Sequence, residues 1–89
     1  MSENEKIHVR VKRKDGLKMP RVMLQISIDQ SLVGKVGPDG TTNIETTPGE
    51  HHMEVFVVRG IRAAGTYTFK EGSCINIEAK LGKIVLSVS

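Results

Sequence analysis

Two adjacent histidines and a nearby glutamate, His51, His52 and Glu54, form the most site-like cluster in the chain. Neutral imidazoles and a carboxylate are ligands that zinc and other transition metals accept. On a strand, His52 and Glu54 project from one face because they are two residues apart, whereas His51 points to the other face. His8 would complete a site only if its strand lay beside His52. The same spacing is typical of the polar end of a turn, so we predict no cofactor.

Cys74 is the only cysteine of the chain and the one candidate nucleophile we considered. A thiolate beside a base attacks carbonyls and disulfides. Nothing local to Cys74 supplies a base, and a free cysteine next to Ile75 is typical of a packed strand residue. The segment at 34–37, Gly-Lys-Val-Gly, lacks the spacing of a phosphate-binding loop. We therefore predict that the chain is not an enzyme.

The basic residues are concentrated at one end of the chain. The formal net charge is +3, and the residues after Arg21 are close to neutral. His8, Arg10 and Lys12 alternate with apolar residues, so they share one face of a strand. Phosphates or an acidic protein surface would contact such a face. The candidate partner-binding residues are Arg10, Lys12, Arg13, Lys14, Lys18 and Arg21.

Two other interpretations bear on this basic segment. Proteins that bind single-stranded nucleic acid stack bases on aromatic side chains, and no such residue precedes Phe56. Nucleic acid is therefore possible but disfavoured as the partner. Alternatively, the cations form a solvated outer face whose charge discourages edge-to-edge pairing of strands.

A period of two in apolar residues predicts that strands position these side chains. It occurs at 7–11 and again at 22–28, and Asp15-Gly16 predicts a tight hairpin between these two strands. The run from 53 to 58 is apolar on both faces, which predicts a central strand. Further strand-like segments lie at 32–36, 41–46, 66–69, 75–78 and 84–88, separated by turn residues. No segment predicts a stable helix.

These features predict an all-β fold. The strand number and spacing indicate an antiparallel, immunoglobulin-like β-sandwich of seven or eight short strands, with a small barrel as the alternative. A chain of 89 residues has room for one core, so we predict a single domain at 6–89 after a flexible segment at 1–5. Aromatic residues are few, which predicts an aliphatic core.

The turn residues in the middle of the chain carry a family likeness. The segments are ISIDQSLVGK at 26–35, PDGT at 38–41 and PGEHHMEV at 48–55. With this pattern, residues 26–58 resemble PEGA-type domains, in which a strand ends in a VDG-x-x-x-G hairpin and a long strand leaves a Pro-Gly-Glu-His turn. Gln30 stands where that family usually has glycine or asparagine. The resemblance implies a small β-sandwich that serves as a binding or spacer module, with no catalytic residues to carry over.

We predict a non-enzymatic interaction module that works through a sheet edge or exposed loops, with a protein partner or a homodimer. The alternative is a module that binds a polyanion or nucleic acid through the basic first strand. A metal-dependent enzyme built on His51, His52 and Glu54 is the third hypothesis. No segment is apolar enough for a signal-peptide core or a membrane span, which predicts a cytoplasmic location.

Overall fold

The computed structural model describes residues 6–16, 21–57, 60–80 and 82–89, in which eight strands form two four-stranded sheets and no helix occurs. Sheet A has the strand order β4-β1-β7-β8, and sheet B has the order β3-β2-β5-β6. The predicted β-sandwich is thus confirmed, and the described strands do not close into a barrel. In chain order the strands are β1 (Ile7–Asp15), β2 (Leu24–Ile28), β3 (Ser31–Val36), β4 (Thr41–Thr46), β5 (Gly49–Phe56), β6 (Arg62–Phe69), β7 (Cys74–Lys80) and β8 (Lys83–Val88).

The core lies between the sheets and is mainly aliphatic. Along β1, every second side chain from Ile7 to Val11 is buried and the side chains between them are exposed. The central strand β5 buries Met53 and Val55 against them, and Phe69 is a fully buried aromatic residue. No helix long and apolar enough to cross a membrane occurs in the described part of the chain.

The hairpin predicted at Asp15-Gly16 is wrong. β1 continues through Asp15 and pairs antiparallel with β4 as far as Lys12 and parallel with β7 from Arg10 to Asp15, whereas β2 belongs to sheet B. The two strands cover one core from opposite sides, so they do not pair with each other. The parallel β1–β7 pair is the exception among the antiparallel pairs of the described strands.

Two local features decide how sheet B is built. Asp29 and Gln30 have φ values of 51° and 71°, as a two-residue hairpin turn between β2 and β3 requires. β6 begins earlier than predicted and runs through Gly65, which lies under the ring of Tyr67. A Cβ atom at Gly65 would lie 3.0 Å from the ring. The predicted flexible segment at 1–5, Lys18, and the last residue of the 53–58 run lie outside the described residues.

Candidate functional site

Three exposed cations project from the outer face of sheet A. They are Arg10, Lys12 and Lys14 of β1, termed the basic row here. β1 is an inner strand, with β4 on one side and β7 on the other. Alternate residues of a strand are about 6.7 Å apart. The basic row therefore places three positive charges at regular intervals along the middle of the sheet face.

A polar trough surrounds the basic row. Two shallow concavities of about 520 and 340 Å³ follow the row, and both are lined by Lys12. The rest of the lining is mixed: it includes the neutral polar residues Thr41, Asn43, Asn76 and Ser87, the acids Asp39 and Glu78, and the apolar Ile77 and Val85. The trough thus offers hydrogen-bonding groups on both sides of the cations.

Two acids of this face, Glu45 and Glu78, contact side chains outside the basic row, and Asp39 beside the trough accepts a hydrogen bond of 2.9 Å from the backbone amide of Asp15. Glu45 Oε2 lies 3.2 Å from His8 Nε2, and Glu78 Oε1 lies 3.7 Å from Lys80 Nζ. Among the described residues, no carboxylate oxygen lies within 4.0 Å of a nitrogen of the basic row's side chains. No direct ion pair between described residues therefore neutralises the row, although Glu78 lies opposite Lys14 in the register of β1 and β7.

Arg13 is buried, contrary to its predicted place among the partner-binding residues. Its side chain is 0% exposed. Its Nε and Nη2 donate to the two carboxylate oxygens of Asp15 at 2.7 and 3.3 Å, and its Nη1 donates to the carbonyl oxygens of Val22 and Val36 at 2.6 and 3.0 Å. Arg13 thus ties β1 of sheet A to Val22, which precedes β2, and to Val36, the last residue of β3 in sheet B. The alternation that buries Val11 also turns Arg13 inward.

The structure brings three of the six predicted partner-binding cations onto one face, namely the basic row. Arg21 is exposed just before β2, which belongs to the other sheet. Lys18 lies outside the described residues. Among the described residues, the candidate interface therefore lies on β1 and leaves out Arg13 and Arg21.

The candidate metal ligands are divided between the two faces of β5. His52 and Glu54 share the outer face, as their spacing predicts, whereas His51 lies on the core side. Glu54 Oε2 accepts a hydrogen bond of 2.8 Å from Arg62 Nη1. His8 lies in sheet A, away from β5. Within the ranges that the structure describes, no three His, Cys, Asp or Glu side chains are grouped closely enough to hold a metal ion.

Cys74 borders the trough, and among the described residues its sulfur has no hydrogen bond to a base. The side chain is half-buried, and its Sγ lies 3.9 Å from the carbonyl oxygen of Ile75 and 3.7 Å from Oδ1 of Asn76. Both neighbours are amide oxygens, which do not take a proton from a thiol at ordinary pH. These contacts are those of a strand residue at a polar surface.

His51 connects the turn between β2 and β3 to the segment that joins β4 of sheet A to β5 of sheet B. Its Nδ1 lies 2.6 Å from Oδ2 of Asp29, and its Nε2 lies 2.8 Å from the carbonyl oxygen of Thr47. The ring stacks on Phe69 at 6.0 Å between centroids. A doubly protonated imidazole donates to both oxygens, whereas a neutral one donates to only one of them. The sequence did not suggest the contact between His51 and Asp29, because these two residues are 22 positions apart.

The shared hydrogen bond changes the pKa of both partners. The bond to Asp29 raises the pKa of His51 above its ordinary value of 6.5; burial of the ring opposes the shift and the Thr47 carbonyl adds to it. The bonds from His51 and from the His52 amide lower the pKa of Asp29 below 3.8. The charged forms of both residues are therefore favoured in the folded protein.

No protein-family model, curated protein or solved structure matches this chain. The resemblance to PEGA-type domains accordingly stays a prediction. The function has to be argued from the surfaces of the molecule itself.

The His51–Asp29 bond predicts a specific pH dependence of stability. Its stabilising effect is fully present between the ordinary pKa values of 3.8 and 6.5. It decreases as pH rises through the raised pKa of His51, and as pH falls through the lowered pKa of Asp29. We therefore expect the wild-type protein to lose thermal stability between about pH 6 and about pH 8.

The variant Asp29→Asn tests this expectation. Asparagine tolerates the positive φ at this turn position, and its oxygen still accepts the bond from the His52 amide. Its NH₂ group donates to a neutral His51, so we expect a lower pKa for His51 and less loss of stability between about pH 6 and about pH 8. NMR titration of the His51 ring and thermal unfolding at both pH values measure these effects. Equal losses in the two proteins would show that another group causes the pH dependence.

Proposed function

We propose that this domain is a non-enzymatic interaction module that binds an acidic partner through the basic row and its polar trough. The observation that carries the proposal is the absence, within the described residues, of any salt bridge to Arg10, Lys12 or Lys14. Three unpaired cations at the centre of one face attract a partner of opposite charge.

An acidic protein segment fits this face better than a nucleic acid does. The strands of sheet A, as described, present no Phe, Tyr or Trp side chain on which a base could stack. An extended peptide also presents alternate side chains about 6.7 Å apart. Carboxylates at every second position would therefore match the spacing of the basic row.

A second property of the row supports the same class of partner. Arg10 can hold a carboxylate through two parallel hydrogen bonds, and the amides of Asn43 and Asn76 can bind the peptide backbone. The lysines add charge without fixing geometry. The module would thus recognise an extended acidic segment with one oriented contact and two less directional ones.

Charge reversal in the basic row tests the proposal. The probe is a fluorescent peptide in which glutamate alternates with threonine, and its binding is followed by fluorescence anisotropy at increasing ionic strength. We expect Arg10→Glu combined with Lys12→Glu to weaken binding by about tenfold or more, since two attractions of up to about 1 kcal/mol each become repulsions. Binding by the wild type should also weaken as salt screens the charges.

The matched control reverses two cations away from the trough. Lys35 on β3 and Lys70 after β6 are both exposed, so Lys35→Glu with Lys70→Glu changes the net charge equally. We expect this control to bind the peptide nearly as well as the wild type does. An equal loss in the control would contradict the proposal, as would unchanged affinity in the Arg10/Lys12 variant. Row-dependent binding of a single-stranded oligonucleotide without binding of the peptide would replace it with the nucleic-acid alternative.

A further inference from the structure

The outer edge of β6 has backbone groups that form no hydrogen bond to another described strand, although β8 of sheet A lies close to it. In sheet B, β6 pairs with β5 and lies at the edge of the described strands. The Val57 amide donates to the Ile61 carbonyl at 2.9 Å, so Ile61 directs its backbone groups toward the β5 side. The His52 carbonyl accepts from the Asp29 amide, so His52 directs its backbone groups toward β2 and away from β6. Residues of an antiparallel pair alternate between those that exchange hydrogen bonds and those that do not. The backbone groups that point away from β5 therefore belong to Arg62, Ala64, Thr66 and Thr68.

β6 lacks the features with which edge strands usually prevent pairing. Its register with β5 is continuous over the whole strand, without a bulge or a proline. Its charged residue, Arg62, is held by Glu54 of the same chain at 2.8 Å and lies over the ring of Phe56. The edge strand β3 differs, because its pairing with β2 shifts register beside Ile26.

The edge of β6 is complementary to itself. Two copies can pair antiparallel with Arg62 opposite Thr68 of the second copy, and Ala64 opposite Thr66 of the second copy. The outward groups then form four facing pairs, each of which exchanges two hydrogen bonds. Like charges do not meet in this register, since the two Arg62 residues lie at opposite ends.

We propose that two copies of the chain associate through the outer edges of β6, which joins their two B sheets into one continuous sheet. The two-fold axis of such an antiparallel pair is perpendicular to the sheet. Both A sheets therefore face the same side, and so do the two basic rows. If the function proposed above holds, the dimer would present both rows to one acidic partner.

The variant Thr66→Pro tests the interface, with Thr66→Ala as the matched control. Proline removes an amide that points outward, so the hydrogen bonds between β5 and β6 are kept. We expect the wild type and Thr66→Ala to sediment at twice the monomer mass, and Thr66→Pro to sediment as a folded monomer by circular dichroism. A wild type that stays monomeric at high concentration would overturn the proposal, as would a dimer that persists in a folded Thr66→Pro variant.

A second pair of variants tests the register without proline. Ala64→Lys with Thr66→Lys places lysines opposite each other across the interface, so we expect a monomer. Ala64→Glu with Thr66→Lys places opposite charges there, so we expect a dimer. The same oligomeric state in both would overturn the proposed register.

The two proposals can fail independently. Arg10→Glu with Lys12→Glu leaves the β6 edge intact, and we expect that protein to remain dimeric. Monomeric Thr66→Pro keeps its basic row, and we expect it to bind the acidic peptide with the affinity of a single row.

Discussion

Replacement of Arg13 by leucine is expected to destabilise the domain by about 3–5 kcal/mol. The variant leaves the carboxylate of Asp15, which is only 9% exposed, without its bidentate partner. It also leaves the carbonyl oxygens of Val22 and Val36 without the guanidinium donor. Buried charged and polar groups that lose their partners cost far more than an exposed ion pair contributes.

Lys12→Leu is the matched control for Arg13→Leu. Lys12 is the preceding residue on β1, but it is exposed, so we expect a change within about 0.5 kcal/mol. Urea unfolding followed by circular dichroism measures the free energy of unfolding of both variants. In thermal unfolding, the melting temperature of Arg13→Leu should fall by at least about 12 °C. Adding Asp15→Leu to Arg13→Leu should recover part of the loss, since the unpaired carboxylate is then gone. Equal effects of Arg13→Leu and Lys12→Leu would contradict the structural role of Arg13.

Replacement of Phe69 by alanine is expected to cost a similar amount, about 3–5 kcal/mol. Phe69 is 1% exposed and belongs to the single core between the sheets. Its ring also stacks on His51, which links the β2–β3 turn to the segment between β4 and β5. Alanine therefore leaves a cavity in the core and removes a support of the His51 contacts.

Phe56 offers a comparison within the same residue type. It is half-buried on the outer face of β5, where the guanidinium of Arg62 lies 5.8 Å from its centroid. We expect Phe56→Ala to cost about 1–2 kcal/mol, from partial burial and the cation–π contact. Denaturant unfolding of both variants under one set of conditions tests the difference. A loss for Phe56→Ala as large as that for Phe69→Ala would show that the outer face of sheet B is covered in solution.

Much of the fold can be predicted because it depends on residues that are close in sequence. The alternation along 7–11 predicts the strand, its buried face and the shared face of Arg10 and Lys12. The same alternation, carried two residues past Val11, would have placed Arg13 inside. The position of Arg13 on the same face as Val11 was the signal for its burial. The prediction missed it because the charge of Arg13 suggested an exposed side chain.

The erroneous hairpin at Asp15-Gly16 has a different origin. Asp-Gly is a good hairpin turn, and the following segment is a strand, so the local pattern favours pairing of β1 with β2. In the folded chain, β1 instead pairs with β4 and β7, both much later in the sequence. Local turn preference contributes less than the burial of two apolar faces against each other.

The sequence by itself determined the strand character of the chain, the aliphatic core and the face of β1 on which Arg10 and Lys12 lie. These follow from a period of two, which depends only on neighbouring residues. The tertiary structure alone decided that Arg13 binds Asp15 inside the sandwich, that His51 meets Asp29, and that β6 is an edge strand. Each of these depends on which strands pair and in what register, which is set by contacts between residues that are distant in sequence.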